Sequence, residues 1–120
     1  MKKIVVGISG ASGVSLGADL LKAYSEMPDV ETHLVISDNA LVTIEQEMNM
    51  EPSAIMDLAD KCYDLYDMAA DISSGSFRND GMVVIPCSMK TLSGIANGYS
   101  DNLLLRAADV TIKENRRLVV

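Results

Sequence analysis

The sequence of 120 residues has one histidine, His33, and two cysteines, Cys62 and Cys87, with no Cys-x-x-Cys pair. So few soft ligands argue against a zinc site of His and Cys and against a disulfide framework, and they fit a reducing compartment. A Ser-His-Asp arrangement would have to use His33, which sits in the apolar run Thr32-His33-Leu34-Val35-Ile36. A histidine in such a strand is expected to be structural. Basic residues are scarce too: 10 Lys and Arg against 17 Asp and Glu give a net charge of −7. Such a chain repels a phosphate backbone, and its one basic cluster (Lys113, Arg116, Arg117) is interrupted by Glu114, so nucleic acid is not an expected partner. No apolar run approaches the length of a membrane span, and Met1-Lys2-Lys3 leads directly into a strand-like run with no cleavage site. A soluble, cytoplasmic protein is expected.

With 48% apolar and 22% charged residues, the composition is that of a globular chain with one core. Lys3 to Ile8 reads as a buried strand. Leu16, Leu20, Leu21 and Tyr24 then recur at helical spacing until Met27-Pro28-Asp29 stops the helix. Glu31 to Ile36 is a second strand, followed by a helix capped by Ser37 or Asp38 and a short helix near Pro52. Cys62 to Asn79 loses periodicity and reads as a long loop. Gly81 to Ile85 is a third strand, helices follow over 89–96 and 103–115, and Arg117-Leu118-Val119-Val120 begins a fourth strand. Strands alternating with helices predict an α/β fold, a Rossmann-like (flavodoxin-like) parallel sheet with helices on both faces. Because that last strand has only begun at Val120, the sequence is expected to be a single domain, 1–120, cut short at its C-terminus.

Ligands of open parallel sheets sit beyond the carboxyl ends of the strands. Three strand-to-helix turns should meet there: Gly10-Ala11-Ser12-Gly13, Ser37-Asp38, and Pro86-Cys87-Ser88-Met89-Lys90-Thr91. The first turn, with glycines 7, 10 and 13 and serines 9 and 12, suits close approach of an anion to backbone N–H groups. It equally suits a tight turn packed on a neighbouring helix. Its spacing is neither G-x-G-x-x-G nor a P-loop, so a mononucleotide fits better than a dinucleotide or a nucleoside triphosphate. Cys87 is either a nucleophile or, with no partnering base in sight, a buried thiol. Glu45 or Glu47, on the helix after the second strand, could turn a carboxylate toward the site, and spacing does not choose between them.

These segments, with Ser74-Gly75-Ser76-Phe77, Ala96-Asn97-Gly98-Tyr99 and Arg106-Ala107-Ala108-Asp109-Val110, resemble in order and spacing the UbiX family. These are flavin prenyltransferases, including the B subunits of phenolic (hydroxyarylic) acid decarboxylase systems. The resemblance implies transfer of a dimethylallyl group from dimethylallyl monophosphate to reduced FMN, with bonds to flavin N5 and C6. The product, prenylated FMN, serves a UbiD-type decarboxylase. It also implies no metal and a homododecamer. By position, Gly10, Ala11, Ser12, Ser37, Ser88, Met89, Lys90 and Thr91 match the family's FMN contacts. Ser12 and Glu47 match its proton-handling pair, which selects Glu47 over Glu45 by likeness. A Pro-Arg-Glu segment and the later Glu, Tyr and Arg that bind prenyl phosphate would lie past Val120. The alternatives are a direct FMN-dependent decarboxylase, which would want a histidine where Val14-Ser15-Leu16 stands, and a non-catalytic flavin-binding subunit.

Overall fold

The computed structural model describes all residues, Met1 to Val120. Five parallel strands form one sheet: β1 (Lys2–Ile8), β2 (Val30–Ile36), β3 (Lys61–Tyr63), β4 (Gly81–Val84) and β5 (Leu118–Val119), in the order β3-β2-β1-β4-β5. This is a doubly wound order whose switch point falls between β1 and β4. The expected parallel α/β sheet is borne out, with one strand added. Lys61–Tyr63 lay at the start of the stretch read as loop, and three residues are too few for a period-2 pattern to declare itself. The rest of that connection carries only a 3-10 turn, Asp71–Ser73, before β4.

The alternation of β1 divides the core. Val6 and Ile8, with Leu34 and Ile36 of β2, face α1 (Val14–Ser25), α2 (Asp38–Met48) and α3 (Pro52–Met56). Val5 and Val35, with Met82 and Val84, face α5 (Leu103–Lys113) and the β3–β4 connection. Burial of these aliphatic side chains on both faces explains why the strands read as continuous apolar runs. α4 (Met89–Ala96) buries no residue fully; it lies against α5, and its Ile95 packs on the second core.

The buried face of α1 differs from the spacing read in the sequence. In α1 the buried residues are Val14, Gly17, Ala18 and Leu21, and Leu16 is 56% exposed. Close approach sets that face: a Cβ at Gly17 would stand 2.5 Å from the carbonyl oxygen of Ile85, so the helix presents its small residues to the sheet. In α5, Ile112 is exposed while Leu103 to Leu105, Ala107, Ala108, Val110 and Thr111 are buried.

Candidate functional site

Three helices begin where β1, β2 and β4 end. The Ser37 hydroxyl accepts the Ala40 N–H at the start of α2, and the Ser88 hydroxyl accepts the Thr91 N–H at the start of α4. Each cap satisfies one donor and leaves others open. The N–H groups of Met89 and Lys90 have no acceptor in the chain, nor do those of Asp38 and Asn39. α1 starts at Gly13, in the left-handed region (φ 92°), with no side-chain cap at all. Free N–H groups at helix N-termini favour negative charge.

The turns are fastened together by Ser9, which is 1% exposed. Its hydroxyl donates to the Pro86 carbonyl at 2.9 Å and accepts the Ser88 N–H at 2.7 Å. Its own N–H donates to Pro86 as well, and the Ser37 N–H donates to the Ile8 carbonyl. Ser9 is thus an internal strut between the turns. Gly10 serves packing too: a Cβ there would lie 2.6 Å from the Asn39 Cβ, so the first turn rests directly on the start of α2. Gly10 therefore packs on a helix and also lines the cleft.

That cleft, of about 630 Å³, opens at this edge of the sheet and is walled by Gly10, Ser37, Ser88, Lys90 and Thr91 among others. These five expected residues are brought together. Ala11 and Ser12 lie on the same turn, and Met89 on the same helix, without lining it; Met89 is 77% exposed. Glu47 is an exposed residue in the last turn of α2, about 14 Å along the helix axis from Asp38 by helical rise. One wall of the cleft has no signal in the sequence: Tyr66, after β3, donates to Asp38 Oδ2 at 2.6 Å. They are 28 residues apart in the chain and are brought near by the pairing of the short β3 with β2. Tyr99 and Asp101, from the α4–α5 connection, complete that side.

Cys87 is half-buried, and burial pushes its thiol up from the ordinary value. The same effect raises Cys62. His33, 1% exposed, is bonded at Nδ1 to the Tyr63 hydroxyl (2.9 Å) and at Nε2 to Glu31 (2.6 Å), and stacks near Tyr63 and Phe77, the structural role expected of it. A larger polar hollow of about 760 Å³ lies at the opposite edge, near Lys3, Asp80 and Arg116, and holds none of the expected site residues. There Arg106 donates to the Ser73 carbonyl and Arg116 to that of Gly75, so the Ser-Gly-Ser-Phe loop is pinned to α5 and to the chain just after it.

A cleft at the switch point, walled by the open N-termini of α2 and α4 and by one lysine, suits an α/β protein that binds a phosphate-bearing ligand. A family model for flavoproteins matches residues 1–120. The chain is 57% identical over 118 residues to a probable UbiX-like flavin prenyltransferase of Sedimentibacter hydroxybenzoicus, covering 98% of this chain and 62% of that protein. It superposes on a dodecameric FMN-dependent UbiX-like decarboxylase of Escherichia coli O157:H7 with TM-score 0.95 and 57% identity, covering 97% of this chain and 63% of the other. AnUbiX (PadA1) in complex with FMN and dimethylallyl pyrophosphate matches with TM-score 0.97 and 51% identity, over 99% and 63%. The chain belongs to the flavoprotein family, and the resemblance to its UbiX members read from the sequence is borne out. It spans about three-fifths of the length of the relatives it matches.

Proposed function

We propose that this chain is the flavin-holding part of a flavin prenyltransferase, which joins the dimethylallyl group of dimethylallyl monophosphate to reduced FMN. The observation that carries the reading is the convergence of the open N-termini of α2 and α4, with Gly10 of the first turn, on a cleft of mononucleotide size. The donor set fits FMN: unpartnered N–H groups, the Ser37, Ser88 and Thr91 hydroxyls and the Lys90 ammonium suit a phosphate and ribityl hydroxyls. Leu65 and Leu105 supply apolar wall for a ring system. Bound reduced flavin would supply the nucleophilic N5 and C6 positions. The protein's part is to orient that ring, exclude water, and stabilise the departing phosphate.

Within this reading Gly10, Ala11, Ser12, Ser37 and Ser88 to Thr91 hold the flavin, and Ser12 and Glu47 manage protons. Glu47 lies far along α2, and in this reading it would serve a site across a contact between copies of the chain. A homo-oligomer, dodecameric as in the E. coli relative, is therefore part of the proposal. Prenylated FMN would pass to a UbiD-type decarboxylase. The donor's phosphate-binding residues would come from a C-terminal segment like that of the longer relatives.

The test is to incubate the intact protein anaerobically with reduced FMN and dimethylallyl monophosphate, with the diphosphate as a second arm, and weigh the flavin by mass spectrometry. A flavin heavier by one dimethylallyl unit is expected. Unmodified FMN that still co-purifies would instead support a flavin-binding subunit or a direct decarboxylase.

A further inference from the structure

The polar hollow of about 760 Å³ at the amino edge of the sheet takes no part in the flavin reading. Its walls come from three segments that meet there: the start of β1, the turn before β4, and the end of α5 with the chain after it. These segments carry Lys2, Lys3, Arg78, Lys113, Arg116 and Arg117, more than half of the 10 basic residues in a chain of net charge −7. Lys3, Arg78 and Arg116 line the hollow and none is in an ion pair; the only pairs in the chain are Glu31 with His33 and Glu114 with Lys113. The two carboxylates of the hollow are already engaged. Asp80 Oδ2 accepts the Lys3 N–H at 2.8 Å, and Glu114 lies 3.0 Å from Lys113 Nζ, which with Arg116 holds its carboxyl below the usual value. The Arg116 guanidinium donates through Nη2 to the Gly75 carbonyl at 2.9 Å, while its enclosed Nη1 has no acceptor. The Arg78 side chain is exposed and unpaired.

We propose that this hollow is an anion site, separate from the cleft, for a phosphate group that Lys3, Arg78 and Arg116 hold, free as the ion or carried by a small molecule. Two forked guanidinium groups and one ammonium suit the three oxygens of a phosphate better than the two of a carboxylate. A bound anion would offset a guanidinium charge that is partly enclosed and has one nitrogen unsatisfied. Ser76 and Asn79 add neutral polar wall, and the volume leaves room beyond the phosphate for a sugar-sized remainder. The negative charge of the rest of the chain acts through solvent and is screened beyond about 10 Å at ordinary salt, so the nearby cations decide.

The experiment titrates the intact protein by calorimetry with inorganic phosphate and, separately, with ribose 5-phosphate, at constant ionic strength and with FMN in excess to cover the anion-binding groups of the cleft. It compares the native protein with Arg78→Gln, which removes an exposed, unpaired cation, and with the double variant Lys3→Gln, Arg78→Gln. Arg116 is left in place because it also pins the loop at Gly75. Saturable binding to the native protein is expected, about tenfold weaker in Arg78→Gln and weaker again in the double variant, with FMN affinity unchanged. Loss in the variants assigns the signal to the hollow whether or not FMN fills the cleft. Tighter binding of the ester than of the ion would support a ligand that extends beyond its phosphate, and equal binding would support the free ion. Absence of saturable binding by either, or binding equally tight in both variants, would overturn the site and leave the flavin reading standing.

Discussion

Two buried polar clusters occupy the same sheet and serve different ends. Ser9, at the end of β1, spends its hydroxyl on the turn after β4, holding Pro86 and Ser88 in place behind the cleft. His33, halfway along β2, spends both ring nitrogens on Glu31 and Tyr63 and so ties the edge strand β3 to the sheet. Each is 1% exposed and each is satisfied, so neither polarity nor burial separates a site residue from a structural one. Position along the strand does. At the carboxyl edge even an internal hydroxyl has functional consequences, because it fixes the helix N-termini that face the ligand. Mid-strand, a titratable side chain has consequences for stability alone.

The sharpest way to break that contrast is to disturb the edge directly. Gly17→Ala would set a methyl 2.5 Å from the Ile85 carbonyl oxygen, a backbone atom that cannot swing away, and push α1 off the turn before Pro86. We expect a loss of about 3 kcal/mol by chemical denaturation, at the upper end of over-packing costs, together with weaker FMN binding. Ser9→Ala comes next. It strands the Ser88 N–H behind the cleft and leaves the Pro86 carbonyl only the backbone N–H of residue 9, and should cost about 2 kcal/mol while also lowering FMN affinity. His33→Leu keeps the volume and removes both bonds, but Glu31 is partly exposed and can take up water, so about 1 kcal/mol is expected. FMN affinity should stay at the native value. If His33→Leu weakened FMN binding as much as Ser9→Ala does, the division between edge and mid-strand would fail.

The particulars explain what could be read ahead of the structure. The three turns were legible because a strand that ends in small or capping residues, followed by helical periodicity, announces a parallel crossover, and such crossovers bring their turns to one edge. Ser37 and Ser88 could be placed as caps for the same local reason. Tyr66 could not, since its partner Asp38 is brought near only by the pairing of β3 with β2, a strand too short to show a pattern. The face of α1 was misread because Leu16 looked like core, whereas a close-packed helix turns glycine and alanine inward. Glu47 is singled out by likeness to the family, because helical spacing alone does not say which carboxylate of α2 faces a ligand.

The smallest effect concerns Cys87, the one nucleophile candidate at the cleft edge. Its thiol is half-buried, its Sγ contacts the Ser88 carbonyl at 3.6 Å, and burial raises its pKa above the ordinary range. A thiol raised in the folded state is held protonated. Its contribution to stability is therefore complete below the ordinary thiol value of about 8.5 and fades as pH rises through the higher folded value. At neutral pH alkylation by iodoacetamide should be slower than for a free thiol and should accelerate only in the alkaline range. Cys87→Ser should change stability by less than about 1.5 kcal/mol and leave prenyl transfer intact. Rapid alkylation at pH 7 accompanied by loss of activity would overturn that expectation. It would move Cys87 from the packing behind the cleft into the chemistry, and with it blur the line drawn between Ser9, which shapes the edge, and the groups that meet the ligand there.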